Sequence, residues 1–333
     1  MTDTSANDPA VEGPPPDAYD ELPDAPPKKR LRLSLTGRIC VAIVAFWVLM
    51  AVIGPWIAPY DEAFYIEEDP QGEYYDDPTF MKPNMEISSF LGTDYIGRDI
   101  FSRIIWGART TVGISFAATL LAYFVGITLG IAAAVAGRWV DTVLSRCVDA
   151  ILAFPNIMLG LIVIAAFSGQ SYLGSPHDEI ILLILLAGFV YAASVFRIAR
   201  ALGQDIMVQD FVEAARARGE GLWWIISREV LPNAAMPLAT DFGLRLVFVI
   251  LFVSSLSFLG LGVPPPMADW GSMVRENLQG LGNGFGFGTD SMTAGALASV
   301  APAIAIASLT IAINLIVDDI SAQAGGSLAK KMV

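Results

Sequence analysis

Apolar residues fall in six long blocks, at about 39–58, 110–136, 143–168, 179–201, 235–258 and 297–317, with more polar stretches between them. Each block is long enough to cross a bilayer as a helix, which takes roughly 20 residues. The pattern predicts an all-α polytopic membrane protein with six transmembrane helices and both termini on one side. The divisions are a tail over 1–34, a first helix over 35–58, a polar insert over 59–108, a five-helix core over 109–320 and a second tail over 321–333. Within the core lie two long connections, 204–232 and 259–296.

The first 27 or so residues are rich in Pro, Asp and Glu and carry too little apolar surface to offset the entropy of ordering, so they are expected to be disordered. A basic run, Lys28-Lys29-Arg30-Leu31-Arg32 followed by Arg38, precedes the first block. A signal peptide has its basic residues at the start and an apolar core of about 7–15 residues. The longer block behind a long tail is read as an uncleaved membrane helix. Trp47 and Trp56 are its aromatic candidates, and Trp56 suits an interfacial anchor.

Composition agrees. The chain is 54% hydrophobic and 16% charged, whereas soluble domains carry about 25% charged residues. Much of the formal net charge of -13 sits in the tail and in the insert, which holds Asp61, Glu62, Glu67, Glu68, Asp69, Glu73, Asp76, Asp77, Glu86, Asp94 and Asp99. Cys40 and Cys147 are expected to be small buried hydrophobes, and they form no disulfide framework. His177 alone makes no metal site. The sequence holds no Gly-rich phosphate loop followed by Lys-Ser/Thr, and nothing in it points to nucleic acid.

Lysine and arginine set the orientation. With the N-terminus inside, fourteen fall on inner segments and four on outer ones. Arg109 lies at a boundary and Arg245 within a span. This bias follows the positive-inside rule. It puts 204–232 in the cytoplasm and the acidic insert outside.

The 204–232 connection contains Glu213-Ala214-Ala215, then Gly219, then Leu231-Pro232. Phe211, Ala214, Ala215 and Arg218 share helical spacing. Gly219 is placed to end that helix in a left-handed cap. Leu222, Trp223, Ile225 and Ile226 give a second apolar face, and Pro232 either stops the second helix or kinks the start of the next span. Two short helices at an angle would form a rigid knob. An ordinary amphipathic surface helix is the competing reading of the Glu-Ala-Ala triplet alone.

This connection resembles the coupling loop of bacterial ABC-importer permeases, with Glu229 standing where the pattern has an apolar residue. Other stretches narrow the match: Leu91-Gly92-Thr93-Asp94-Tyr95-Ile96-Gly97-Arg98-Asp99, then Asp149-Ala150-Ile151-Leu152-Ala153-Phe154-Pro155, then Leu256 to Pro266 with Trp270-Gly271 after it. Together they look like the C-type permease subunit of dipeptide/oligopeptide (and nickel) importers, over about residues 35–320. The resemblance implies a type I importer-like permease fold, a second homologous permease, two ATP-binding subunits that hold ATP and Mg, and an extracytoplasmic binding protein. This chain would hold no cofactor and would not itself be an enzyme. Glu213, Ala214, Ala215, Gly219, Leu231 and Pro232 are then the expected ATPase contact.

Other candidates remain open. Asp94, Gly97, Arg98 and Asp99 suit an outer gate or a binding-protein contact, and equally a turn with capped ends. The acidic insert suits either attraction of a basic face or plain solvation. Asp241 and Arg245, spaced i,i+4, suit a self-satisfied pair or the translocation path, since charges within spans mark function by default. Asp149 is expected to pair with Arg146. Pro264-Pro265-Pro266 ends the fifth span, and Gly280, Gly282, Gly284, Gly286 and Gly288 mark an outer loop. The competing class is a secondary transporter driven by an ion gradient through Asp241 or Asp149.

Overall fold

The computed structural model describes residues 34–68, 74, 79–81, 84–85, 89–167, 178–283 and 292–329. The N-terminal tail with its basic run, His177, Lys82, Lys330, Lys331, Gly284, Gly286, Gly288 and five acids of the insert (Asp69, Glu73, Asp76, Asp77, Glu86) lie outside them.

The first helix, α1, spans Leu35–Ile57. Ser34 starts it by accepting a hydrogen bond at Oγ from the Gly37 amide at 3.0 Å, satisfying one of the free N–H groups of the first turn. The second, α2, runs Ile100–Val135, about 54 Å at 1.5 Å per residue. It begins ten residues ahead of the predicted block, because Asp99 caps it by accepting from the Ser102 amide at 2.7 Å. Ser102, Arg103 and Arg109 interrupt the apolar pattern there and hid its first three turns.

The third predicted span is not one straight helix. It divides into α3 (Arg138–Leu152) and α4 (Asn156–Phe167), which meet at 86°. Pro155 explains the break, having no amide hydrogen for a helical bond and pushing Phe154 out of helical geometry. Helix α4 alone reaches about 18 Å, short of the roughly 30 Å hydrocarbon core. Cys147 on α3 is exposed, against expectation, whereas Cys40 is buried.

Helix α5 covers Asp178–Met207. After it come α6 (Asp210–Ala217) and α7 (Leu222–Ile225), which continues through a π-helical turn, Ile226–Val230, into α8 (Leu231–Phe258). Short α9 (Trp270–Glu276) and α10 (Leu278–Asn283) precede the long α11 (Met292–Ala329). Five of these helices are long and apolar enough to cross a membrane, or six counting the bent pair.

Side-chain pairings fix the directions. Gly126 of α2 meets Val195 of α5, and Gly130 meets Ala199, so α2 and α5 run parallel. The chain between them must therefore return to the end where α2 began, and α3 with α4 forms part of that return. Gly126 and Gly130 are one GxxxG step. The backbone carbonyl of Phe196 would lie 2.7 Å from a Cβ placed at Gly130. Missing side chains let the two backbones approach, which is how helices pack where no hydrophobic drive separates protein from solvent. Helix α8 is antiparallel to α5, with Tyr191 donating to the Phe248 carbonyl at 3.0 Å. Helix α1 is antiparallel to α11: the Ser34 amide meets Asp319 at 2.9 Å and Trp47 Nε1 meets Ser308 Oγ at 2.9 Å. The start of α1 and the lower part of α11 therefore share one end, called lower here.

Two cores result. One joins Ala118, Leu183, Leu186, Val190, Phe252 and Leu256 across α2, α5 and α8. The other joins Ile104, Ala108, Ile250, Trp270, Met273 and Leu309 across α2, α8, α9 and α11.

Candidate coupling and translocation sites

At the lower end, α6, α7 and the π-helical turn form a knob. Its inner face, Val212, Ala215, Ile225 and Val230, is buried against Ile131 of α2. Gly219 has φ +84, open to glycine at little cost. Its amide bonds the Arg216 carbonyl at 2.9 Å and the Glu220 amide bonds the Ala215 carbonyl at 3.2 Å, the paired bonds of a Schellman cap. Arg218 lies 5.9 Å over the Trp224 ring. The outer face presents Glu213, Ala214, Phe211, Leu222 and Trp223, the last 78% exposed. The triplet is thus divided: Ala215 anchors the knob and Glu213 with Ala214 face outward.

Pro232 does not end the second helix, as one of the two sequence readings had it. The π-helical turn carries the chain straight into α8, with the Leu231 amide reaching back to Ile226. Pro232 falls within the first turn of α8 and, having no amide hydrogen, makes no helical bond back to the π-helical turn. Helix α7, the π-helical turn and α8 nonetheless run on unbroken from Leu222 to Phe258, with α6 packed beside them.

Midway along α8, Arg245 Nη2 donates to Asp241 Oδ1 at 3.0 Å. The hydroxyl of Tyr123, from α2, donates to Asp241 Oδ2 at 2.6 Å. The helical pair expected from i,i+4 spacing exists, with an added tie to α2. Phe242 meets the Tyr123 and Phe116 rings edge-on at 5.0 and 6.1 Å, and Arg245 lies 6.0 Å over Phe248. Asp241 and Arg245 retain 14% and 13% side-chain exposure.

At the upper end, Asp94 and Arg98 are 1% and 3% exposed. Arg98 donates to Asp94 at 2.7 Å and to Glu276 at 2.8 Å. Burial works against the Arg98 charge, but Asp94 and Glu276 outweigh it and raise its pKa. Arg103, 1% exposed, bonds the Glu62 carbonyl at 2.8 Å. Asp99 accepts from Ser89 Oγ at 2.7 Å, and burial holds its pKa above the ordinary value. Gly97 has φ +87 and lets the Asp94–Arg98 turn close. Asp94, Arg98 and Asp99 are buried, and Arg98 with Arg103 ties the α2 start to Glu276 of α9. Asp269 is wholly buried and raised by that burial. It caps α9 at the Ser272 amide, 3.0 Å away, and accepts from Thr111 at 2.8 Å.

Asp149 pairs with Arg197 of α5 at 2.7 Å, not with Arg146 three residues earlier. Its neighbour pair, Asp141 with Arg200, includes a 2.7 Å bond. Both bridge α3 to α5 at the lower end. Sequence reading missed Tyr123, Arg103, Glu276 and Asp269 as partners. Tyr123, Glu276 and Asp269 meet their partners across more than 100 residues, and Arg103 meets Glu62 across 41.

A membrane-embedded bundle of several crossings, with a rigid knob continuous with one crossing, defines a transport permease. Comparison with known proteins agrees: the chain belongs to the family of binding-protein-dependent transport system inner membrane components, whose model matches residues 126–322. It is 32% identical over 293 residues to a putative peptide transport system permease protein of Brucella suis biovar 1 (strain 1330), covering 87% of each chain. It is 32% identical over 251 residues to a dipeptide transport system permease protein of Alkalihalophilus pseudofirmus, 75% of each. A glutathione transport system permease protein of Pectobacterium atrosepticum shares 30% over 250 residues, 74% of this chain and 76% of that one. Among solved structures, a chain of the MetNI methionine ABC transporter, in an inward-facing conformation, superposes with a TM-score of 0.47 at 18% identity, over 66% of this chain and 97% of that one.

Proposed function

We propose that this chain is one of two permeases of an ATP-driven importer for peptides, and that the knob built by α6, α7 and the π-helical turn is the seat of a separate ATPase subunit. The observation that carries the reading is the division of the knob, with one face locked into the bundle and the other exposing Glu213, Ala214, Leu222 and Trp223. A rigid body joined end-on to α8 passes a push from below into the membrane, which a loose loop does not. The lysine and arginine bias supports a cytoplasmic knob and cytoplasmic termini. ATP and Mg then belong to the partner ATPases, and the ligand arrives on an extracytoplasmic binding protein. The peptide cargo rests on the names of the Brucella and Alkalihalophilus relatives.

The Asp241–Arg245–Tyr123 cluster belongs to the translocation path. A charge pair in the middle of a span is not turned toward lipid. Membership in a binding-protein-dependent family leaves the ion-gradient alternative without support. The upper network of Asp94, Arg98, Arg103 and Glu276 braces the outer end against the moving lower end.

Reconstitution with partner subunits tests the coupling. Gly219→Pro forces φ near −65° where the cap needs +84°, and Glu213→Ala removes an exposed contact. Both are expected to uncouple ATP hydrolysis from uptake while the chain still inserts. Wild-type uptake by both variants would refute the knob as the contact.

A further inference from the structure

We propose that Arg245 is the receptor for the carboxylate of the peptide in transit, with Asp241 holding its place between cargoes; this rests on the peptide-importer reading above. Helix α8 has 28 residues, about 42 Å at the helical rise, and Asp241 and Arg245 stand near its middle. The cluster therefore lies within the span and not at its ends. There a charge persists only where it is partnered or functional.

The partners are unequal. Both oxygens of Asp241 are engaged, Oδ1 by Arg245 and Oδ2 by Tyr123. Arg245 is under-used. Its Nη2 reaches Asp241, while its buried Nε has no acceptor among the described residues. A guanidinium presents five N–H donors in a planar fork that matches a carboxylate. A buried donor without an acceptor is costly and calls for a reason. Here both oxygens of the acid are engaged while the base keeps a donor without an acceptor, and we read that open valence as one for an anion.

Tyr123 explains how the exchange is possible. When an incoming carboxylate takes the fork, Asp241 keeps the 2.6 Å bond from Tyr123 and is not left bare. The rings of Phe242 and Phe248 lie beside the cluster and give the contact an apolar border. The α-carboxylate is the one anion every unmodified peptide carries whatever its side chains. A single arginine therefore serves cargo of varied sequence.

The test uses the assembled complex, both permeases with ATPases and binding protein, in proteoliposomes. The probes are trialanine and trialanine amide, each loaded at saturating concentration. For trialanine, Arg245→Gln is expected to lower the maximal uptake rate about tenfold or more, the size of a lost charge-assisted bond. Asp241→Asn, which leaves Tyr123 an acceptor and frees the fork, is expected to lose clearly less of the rate than Arg245→Gln does. Arg245→Lys should recover part of the loss. For the amide, Arg245→Gln and wild type should match within about twofold. Equal losses in Arg245→Gln and Asp241→Asn, or failure of Asp241→Asn to assemble, would make the pair a structural pin and overturn the proposal. So would an amide lost as severely as the free peptide. Absence of ATP-dependent uptake by the wild type would instead count against the importer reading itself.

Discussion

Two glycines of α2 allow the packing between spans to be weighed with one chemical change. At Gly113 a Cβ meets nothing within 4 Å. At Gly130 it lies 2.7 Å from the Phe196 carbonyl oxygen and 2.8 Å from Ala199 Cβ. Replacing glycine by alanine inside a helix gains about 1 kcal/mol from propensity. Gly113→Ala should show that gain alone. Gly130→Ala adds a clash with backbone that no rotamer relieves, and overpacking of this kind costs about 1–3 kcal/mol. The expected difference between the variants is therefore about 1–3 kcal/mol. For a chain of this size that is a separation of several degrees, at about 2–4 °C per kcal/mol. The assay is thermal unfolding of each chain purified in mild detergent, followed by loss of the monodisperse peak. Ala199→Gly added to Gly130→Ala should recover part of the loss, since one of the two clashing groups is gone. Equal melting temperatures for Gly113→Ala and Gly130→Ala would refute the close α2–α5 approach.

Further outcomes follow from the upper end. Arg98→Met removes the 2.7 Å ion pair of buried Asp94, leaving it Arg103 at 3.7 Å, and removes a partner of Glu276; breaking a buried pair costs up to about 3–5 kcal/mol, so the variant should melt below wild type, and an unchanged melting temperature would contradict the bracing role. Asp269 has its pKa raised by burial, so the folded state favours its protonated form. Its contribution is fully present below the ordinary carboxylate value near about 4 and is lost as pH rises through the raised one. The stability of wild type relative to Asp269→Asn should accordingly fall between about pH 4 and the raised value; a relative stability that grows with pH would show the acid to be ionised in place.

Much of the fold was legible because spans are long and apolar, and period and length survive in a bilayer without help from distant contacts. The start of α2 was not, since its first turns carry Ser102 and Arg103 and depend on a cap and on partners at Glu62 and Glu276. The bend at Pro155 was hidden inside a continuous apolar block, although proline there cannot extend a helix. The knob was legible from Gly219 and the helical spacing of Phe211, Ala214, Ala215 and Arg218. Its junction with α8 was not, because Pro232 suits the first turn of a helix as well as the stop of another. The Asp241–Arg245 pair followed from spacing alone, while Tyr123 lies 118 residues away and no local rule brings it there. Asp149 chose Arg197 over Arg146 because α3 packs along α5, a tertiary fact.

The claim that a separate ATPase grips the knob is tested most directly by purifying this chain from its native membrane in mild detergent, with a cysteine placed at Ala214 and a short crosslinker, and identifying what is attached. The expected result is a crosslinked ATP-binding subunit, with a second six-span permease in the same particle. A chain that purifies alone or as a homo-oligomer, with Ala214→Cys crosslinked to no ATP-binding protein, would contradict it.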